Sequence, residues 1–175
     1  VYEGEFQNNE RSGKGTMTWE TGEGVVYVYE GEFQNNERSG KGTMTWGKDG
    51  ETTIYEGDFA DNWINGYGTC TWPSGAHYEG EWKNGKFNGK GTLTYADGSV
   101  YEGEFVDNEK NGEGIWTKSD GTVVTENWIY GKKVETLTLE DGTYTGGVTD
   151  GKPDGQGKME YTNGQVYEGE WKNGV

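Results

Sequence analysis

Tyr2-Glu3-Gly4-Glu5-Phe6 is followed, after a short polar loop, by Gly13-Lys14-Gly15-Thr16-Met17-Thr18-Trp19. The leading tyrosine position returns at Tyr29, Tyr55, Tyr78, Tyr101, Val124, Tyr144 and Tyr167. Self-similarity at a period of 20 to 27 residues marks a repeat array, in which each unit is one supersecondary element that cannot bury its apolar face alone. Residues 1–19 and 28–46 are identical at every position.

Each unit reads as a β-hairpin, with Tyr-Glu-Gly-Glu-Phe as its first strand and Gly-x-Gly-Thr-x-Thr-aromatic as its second. Alternation places Tyr2, Gly4 and Phe6 on one face and Glu3 and Glu5 on the other. In the second strand Gly13, Gly15, Met17 and Trp19 share a face, opposite Lys14, Thr16 and Thr18. A register with Tyr2 opposite Trp19, Gly4 opposite Met17 and Phe6 opposite Gly15 gives every glycine a bulky cross-strand neighbour, which offsets its weakness in a strand. Between units, Pro73-Ser74-Gly75, Ala96-Asp97-Gly98-Ser99 and Thr162-Asn163-Gly164-Gln165 carry residues that tolerate positive φ. The longer connections Glu20 to Val28 and Gly47 to Ile54 predict longer, more mobile hairpins. From Lys118 to Tyr144 the pattern breaks: Lys118 replaces an aromatic residue, Val124 the tyrosine, and Lys133 and Glu135 stand in the places of the two glycines. Thr136-Leu137-Thr138-Leu139 still alternates, so this stretch is expected to remain β, with an altered groove and a bend.

The composition excludes an ordinary globule. Glycine numbers 33, hydrophobic residues make up 29%, and the mean hydropathy is -1.03, too polar for a central core. Disordered chains are poor in aromatics, whereas this one has 8 Trp, 12 Tyr and 5 Phe at fixed spacing. The net charge of -16 disfavours nucleic acid and bare anionic lipid and suits a basic partner. Cys70 is the only cysteine, so neither a disulfide framework nor a cysteine metal cluster is expected, in keeping with an intracellular setting. No run of 18 apolar residues is present. The chain begins and ends inside repeats, as expected of a piece of a longer protein.

The consensus Y-E-G-E-[FW]-x-N-G-x-x-x-G-x-G-T-x-T-[YW]-x-D-G, carried most fully by residues 78–100, resembles the MORN (membrane occupation and recognition nexus) repeat. The resemblance covers seven complete units and the start of an eighth, with the unit at 124–143 degenerate. It implies an all-β fold, an elongated, twisted single-layer antiparallel sheet of consecutive hairpins. About fifteen strands at ~4.8 Å would make a ribbon of roughly 70 Å. Members of the family serve as scaffolds in cilia and cytoskeleton, as partner-binding modules, and as accessory regions of lysine methyltransferases and phosphoinositide kinases.

No chemistry of catalysis fits the residues. The pairs Glu3 with Glu5, Glu30 with Glu32, Glu79 with Glu81 and Glu102 with Glu104 recur on one open face, whereas acid-base catalysis needs carboxylates converging in unlike environments. His77 and Cys70 stand alone, without a second metal ligand or a general base. The run Asp107-Asn108-Glu109-Lys110-Asn111-Gly112 has Lys118 where a calcium loop needs its bidentate glutamate, and is read as the loop between the strands of its unit. Gly13-Lys14-Gly15-Thr16 lacks the order and the following helix of a phosphate loop. No cofactor, no metal and no enzyme activity are therefore expected.

What remains is the aromatic row Tyr2, Trp19, Tyr29, Trp46, Tyr55, Trp72, Tyr78, Tyr95 and Tyr101, open on a single-layer sheet and rimmed by charge. It predicts a protein-interaction scaffold of a cytoskeletal or ciliary assembly, taking a basic helix or extended peptide. Peripheral membrane or phosphoinositide binding as part of a larger enzyme is the alternative, opposed by the charge. The unpaired sheet edge at the last half-unit also invites end-to-end self-association.

Overall fold

The computed structural model describes residues 1–175 as fifteen β-strands and no helix. The first eight are β1 (Tyr2–Gln7), β2 (Glu10–Glu20), β3 (Val26–Gln34), β4 (Glu37–Lys48), β5 (Glu51–Ala60), β6 (Trp63–Thr71), β7 (His77–Lys83) and β8 (Lys86–Thr94). The remainder are β9 (Val100–Val106), β10 (Glu109–Thr117), β11 (Val123–Ile129), β12 (Lys132–Leu139), β13 (Gly142–Thr149), β14 (Lys152–Tyr161) and β15 (Val166–Trp171). Each strand pairs antiparallel with the next, in strict sequence order, so the sheet is one layer of consecutive hairpins. The expected all-β ribbon is therefore the fold.

The loop inside each unit is shorter than the sequence suggests. Gln7 pairs with Glu10, leaving only Asn8 and Asn9, at φ 53 and 65, to turn the chain. Asn35-Asn36, Asp61-Asn62, Asn84-Gly85, Asp107-Asn108 and Asp150-Gly151 do the same with both residues at positive φ. Such a pair matches the right-handed twist of the flanking strands, and Asn, Asp and Gly are the residues that tolerate it. Glu109 to Gly112 thus lies in β10, not in a loop.

The register differs from the expected one by two residues. Tyr2 pairs with Met17, Glu3 with Thr16 and Gly4 with Gly15, after which a bulge intervenes and Phe6 pairs with Arg11. The early turn fixes this register, and the bulge takes up the extra residues. Gly13, at φ +69, occupies the bulge, and Gly40, Gly66, Gly89, Gly112 and Gly155 repeat this at positive φ. The second glycine has a different reason. Gly4, Gly15, Gly31, Gly42, Gly57, Gly68, Gly80, Gly91, Gly103 and Gly114 pair in turn across ten strands. The ring of each unit's tyrosine lies over its own glycine pair: a Cβ on Gly15 would meet Tyr2 Oη, and one on Gly91 would meet Tyr78 Oη. Rings do cover glycines, as expected, but the ring is the unit's own tyrosine rather than a residue directly opposite.

The tyrosines also form the core. Tyr29, Tyr55, Tyr78, Tyr101 and Tyr144 are fully buried. Tyr29 meets Phe33 of its own unit edge-on at 5.1 Å and Phe59 of the next at 4.8 Å. Tyr55 is held likewise between Phe59 and Trp82, and Tyr78 between Trp82 and Phe105. Such aromatic pairs contribute about 0.5–1.5 kcal/mol each beyond the area they bury. The hydroxyls of Tyr29, Tyr55, Tyr78 and Tyr144 then donate to the carbonyl three residues on, as Tyr29 does to Glu32 and Tyr78 to Glu81.

The two longer connections between units turn out differently from expectation. Lys48 pairs with Glu51, so only Asp49 and Gly50 turn there, and the additional residues extend β4 and β5. Between β2 and β3, Thr21 to Val25 form a loop. In the divergent stretch β11 and β12 remain strands but share only three paired positions, Asn127 with Val134, Trp128 with Lys133 and Ile129 with Lys132. Lys133 is the counterpart of Arg11, which likewise pairs with its unit's aromatic residue, not of a glycine. From Trp128 to Glu135 this unit is two residues shorter than its neighbour is from Phe105 to Gly114, and the two absent residues are those of the bulge. Glu126 and Glu135 interrupt the glycine ladder, which resumes at Gly146. The buried apolar residues divide at the same place into a cluster running from Tyr29 to Phe105 and a smaller one of Tyr144, Met159 and Trp171.

Candidate interaction surface

The nine aromatic residues of the expected groove fall into two groups. Tyr29, Tyr55, Tyr78 and Tyr101 have no exposed surface, because neighbouring rings and the glycine backbone enclose them. With those neighbours in place they offer a partner no surface, and their place in the open groove is corrected accordingly. Burial drives their hydroxyls upward in pKa, to about 12 for Tyr29 and Tyr101. Tyr2, Trp19, Trp46, Trp72 and Tyr95 are half-buried, packed against the core from its edge. Trp19 stacks on Tyr27 at 5.1 Å, and Tyr95 on Trp116 at 5.3 Å.

The register reveals a position that sequence reading placed in the loop. Arg11, Arg38, Ile64, Phe87, Lys110, Lys133 and Pro153 each pair with the residue at the Phe6 position of their unit's first strand, which puts them on the aromatic face. The backbone there is clamped by the next hairpin: the Arg11 N–H donates to Asn36 Oδ1 at 2.9 Å, and the Asn36 N–H to the Arg11 carbonyl at 3.1 Å. The side chain alone varies, and it decides what fills the face. Arg11 lies over Tyr2 and Phe33, donating to the Asn36 carbonyl at 2.7 Å and to Met17 Sδ at 2.9 Å. Arg38 repeats the arrangement over Tyr29, Phe59 and Trp19, and burial lowers its pKa. Phe87 stacks on Tyr78 at 3.8 Å. Ile64 is shorter than these, and beside it lies an apolar recess of about 300 Å³ walled by Tyr27, Arg38, Met44, Trp46, Phe59, Asn62 and Trp63. Two-residue Asn-Asn and Asp-Asn turns were the available signal, since they fix the register that brings this position inward.

The opposite face is acidic. Its inner carboxylates cap the bulges: Glu5, Asp58 and Glu81 accept the backbone N–H groups of Lys14, Tyr67 and Lys90 at 3.1, 2.9 and 2.9 Å. A furrow of about 620 Å³ follows the glycine ladder on this side, between Lys14, Thr16, Glu30, Glu32, Lys41, Thr43 and Glu56. It has no apolar side chain in its walls.

Comparison with curated proteins gives no significant match. The model of the MORN repeat, in contrast, matches residues 2–24, 29–51, 55–77, 78–100, 101–123, 144–166 and 167–175, passing over the stretch where the glycine ladder is broken. With hairpins in strict succession and seven matches across most of its length, the chain belongs to the MORN repeat family, a class of non-catalytic repeat modules that mediate protein or membrane interactions.

Proposed function

We propose that this array is a protein-interaction scaffold that receives a basic helix or extended peptide along the edge of its aromatic face. The observation that carries the reading is the unfilled recess at Ile64, bounded by the half-buried Trp46 and the exposed Trp63. Neighbouring units fill the equivalent space with Arg38 or Phe87, whereas here an apolar side chain of a partner has room to seat. Tryptophan in such a setting is the residue type that most often dominates binding energy. The charge of -16 selects basic partners and quickens their encounter.

Isothermal titration of a Lys/Arg-rich amphipathic peptide tests the proposal. Trp46→Ala with Trp72→Ala is expected to weaken binding at least tenfold, about 1.4 kcal/mol or more. The wild-type complex should weaken with salt. Retained affinity in the double variant refutes the groove. Co-sedimentation with phosphoinositide vesicles at low salt, were it seen, would move the reading to membrane attachment. A cytoskeletal or ciliary setting within the cell belongs to the same proposal and rests on family likeness; failure of a tagged copy to fractionate with the insoluble cytoskeleton removes it.

A further inference from the structure

Lys110 occupies the inward position of its unit with an environment unlike that of Arg11 or Arg38. Its ammonium lies 3.7 Å from the Trp116 ring centroid, 4.4 Å from Tyr101, 4.5 Å from Trp128 and 5.6 Å from Tyr95. Trp116 stands where the first two units have Met17 and Met44, and Trp128 where they present Phe33 and Phe59. The two arginines gain hydrogen bonds to a carbonyl and a sulfur within their sites. The Lys110 ammonium has no hydrogen-bond or ion-pair partner, since Glu126, the nearby carboxylate, is taken by Lys133 at 2.8 Å. Burial lowers the Lys110 pKa to about 8.

The same site gives up hydrogen bonds that other units keep. Tyr101 Oη and Trp128 Nε1 are buried without partners. Elsewhere the tyrosine hydroxyl donates to the carbonyl three residues on, and Trp82 and Trp171 donate to Gly68 and Gly157. Departures from the local rules of a repeat concentrate where function is served. Beside the cage, a cleft of about 430 Å³ is walled by Trp116 and Trp128 together with the charged Asp97, Lys118, Glu126 and Lys133. Two rings of the cage can thus be reached from solvent.

We propose that the Tyr95–Tyr101–Trp116–Trp128 cage is a site for the trimethylated lysine of a basic protein partner, with Lys110 as its resident occupant until the partner displaces it. A quaternary ammonium keeps its charge at every pH and has no N–H to leave unpaired among four rings, so it loses less than a primary ammonium on entering. Asp97, which unlike Glu126 has no ion-pair partner, suits a flanking basic residue at the cleft. A protein partner, rather than a choline lipid, follows from the scaffold function proposed above, on which this choice of ligand rests.

The test compares a trimethyl-lysine peptide with its unmethylated twin on the full 175-residue chain, with tetramethylammonium as a probe of the cage alone. The wild type should prefer the methylated peptide, and Lys110→Ala should bind it about tenfold more tightly, the resident cation being gone. Trp116→Met and Trp128→Phe restore the residues of other units, so the fold tolerates them, yet each should abolish the preference. Equal binding of the two peptides by both proteins overturns the proposal. So does binding by Lys110→Ala alone, which would make Lys110 a permanent structural plug. Capture of phosphatidylcholine vesicles in preference to the peptide overturns the choice of partner. Because Trp46 and Trp72 are untouched, loss of methyl preference with basic-peptide binding intact would condemn the cage and spare the groove. Tetramethylammonium binding without any peptide binding would do the reverse.

Discussion

At the level of single residues, two glycines two positions apart answer to different physics. Gly89 turns the backbone at φ +99, while Gly91 lies beneath the Tyr78 ring. Gly80, its cross-strand partner, faces backbone: a Cβ there would stand 2.5 Å from Gly91 Cα and 2.6 Å from the Lys90 carbonyl oxygen. Backbone cannot move aside as a flexible side-chain tip can. Gly80→Ala should therefore cost about 1–3 kcal/mol by overpacking, read as a lowered denaturant midpoint. Gly98→Ala, at positive φ with nothing near, should cost only about 1 kcal/mol of backbone strain. Glycine in this motif was legible from the sequence as a packing requirement. Which ring covers which glycine was not, because that depends on the register.

Among elements, the hairpin turn governs the rest. Once Asn8 and Asn9 turn the chain in two residues, Phe6 must meet Arg11, and the surplus length before Gly15 has to leave the ladder as a bulge. The second glutamate of the Tyr-Glu-Gly-Glu motif secures that bulge from the acidic face. Glu81→Ala should release the Lys90 amide, speeding its hydrogen exchange about fivefold or more and costing about 1 kcal/mol. Glu102, an exposed first glutamate, should tolerate alanine within about 0.5 kcal/mol. Unchanged exchange at Lys90 would show that the carboxylate is not what holds the bulge. The loop reading of Gln7 to Ser12 missed this because polar residues in a strand facing water look like a loop until the turn type is known. Arg11, Arg38 and Lys110 were overlooked for that reason alone.

Over the whole molecule, a one-layer sheet has no remote contacts to bind its ends together, so stability is a sum over neighbours. The weakest neighbour term lies at β11–β12, where three paired positions join the ladders of six and five on either side and the bulge is absent. Residues 132–171 should therefore open as a separate unit, with amide exchange faster than in β3 to β9. Tyr144→Ala should accelerate it further while leaving the Tyr55 and Tyr78 hairpins protected. Uniform loss of protection along the array would refute the division. The sequence by itself determined the repeat, the hairpin unit, the aromatic and acidic faces and the place where the pattern fails, because period and alternation are local properties of the chain. Only the tertiary structure decided which rings are consumed by packing and which cations sit among them. Burial of a tyrosine, the gap beside Ile64 and the four rings around Lys110 each arise from residues of several hairpins, and hydrogen-bond register is what brings those hairpins together.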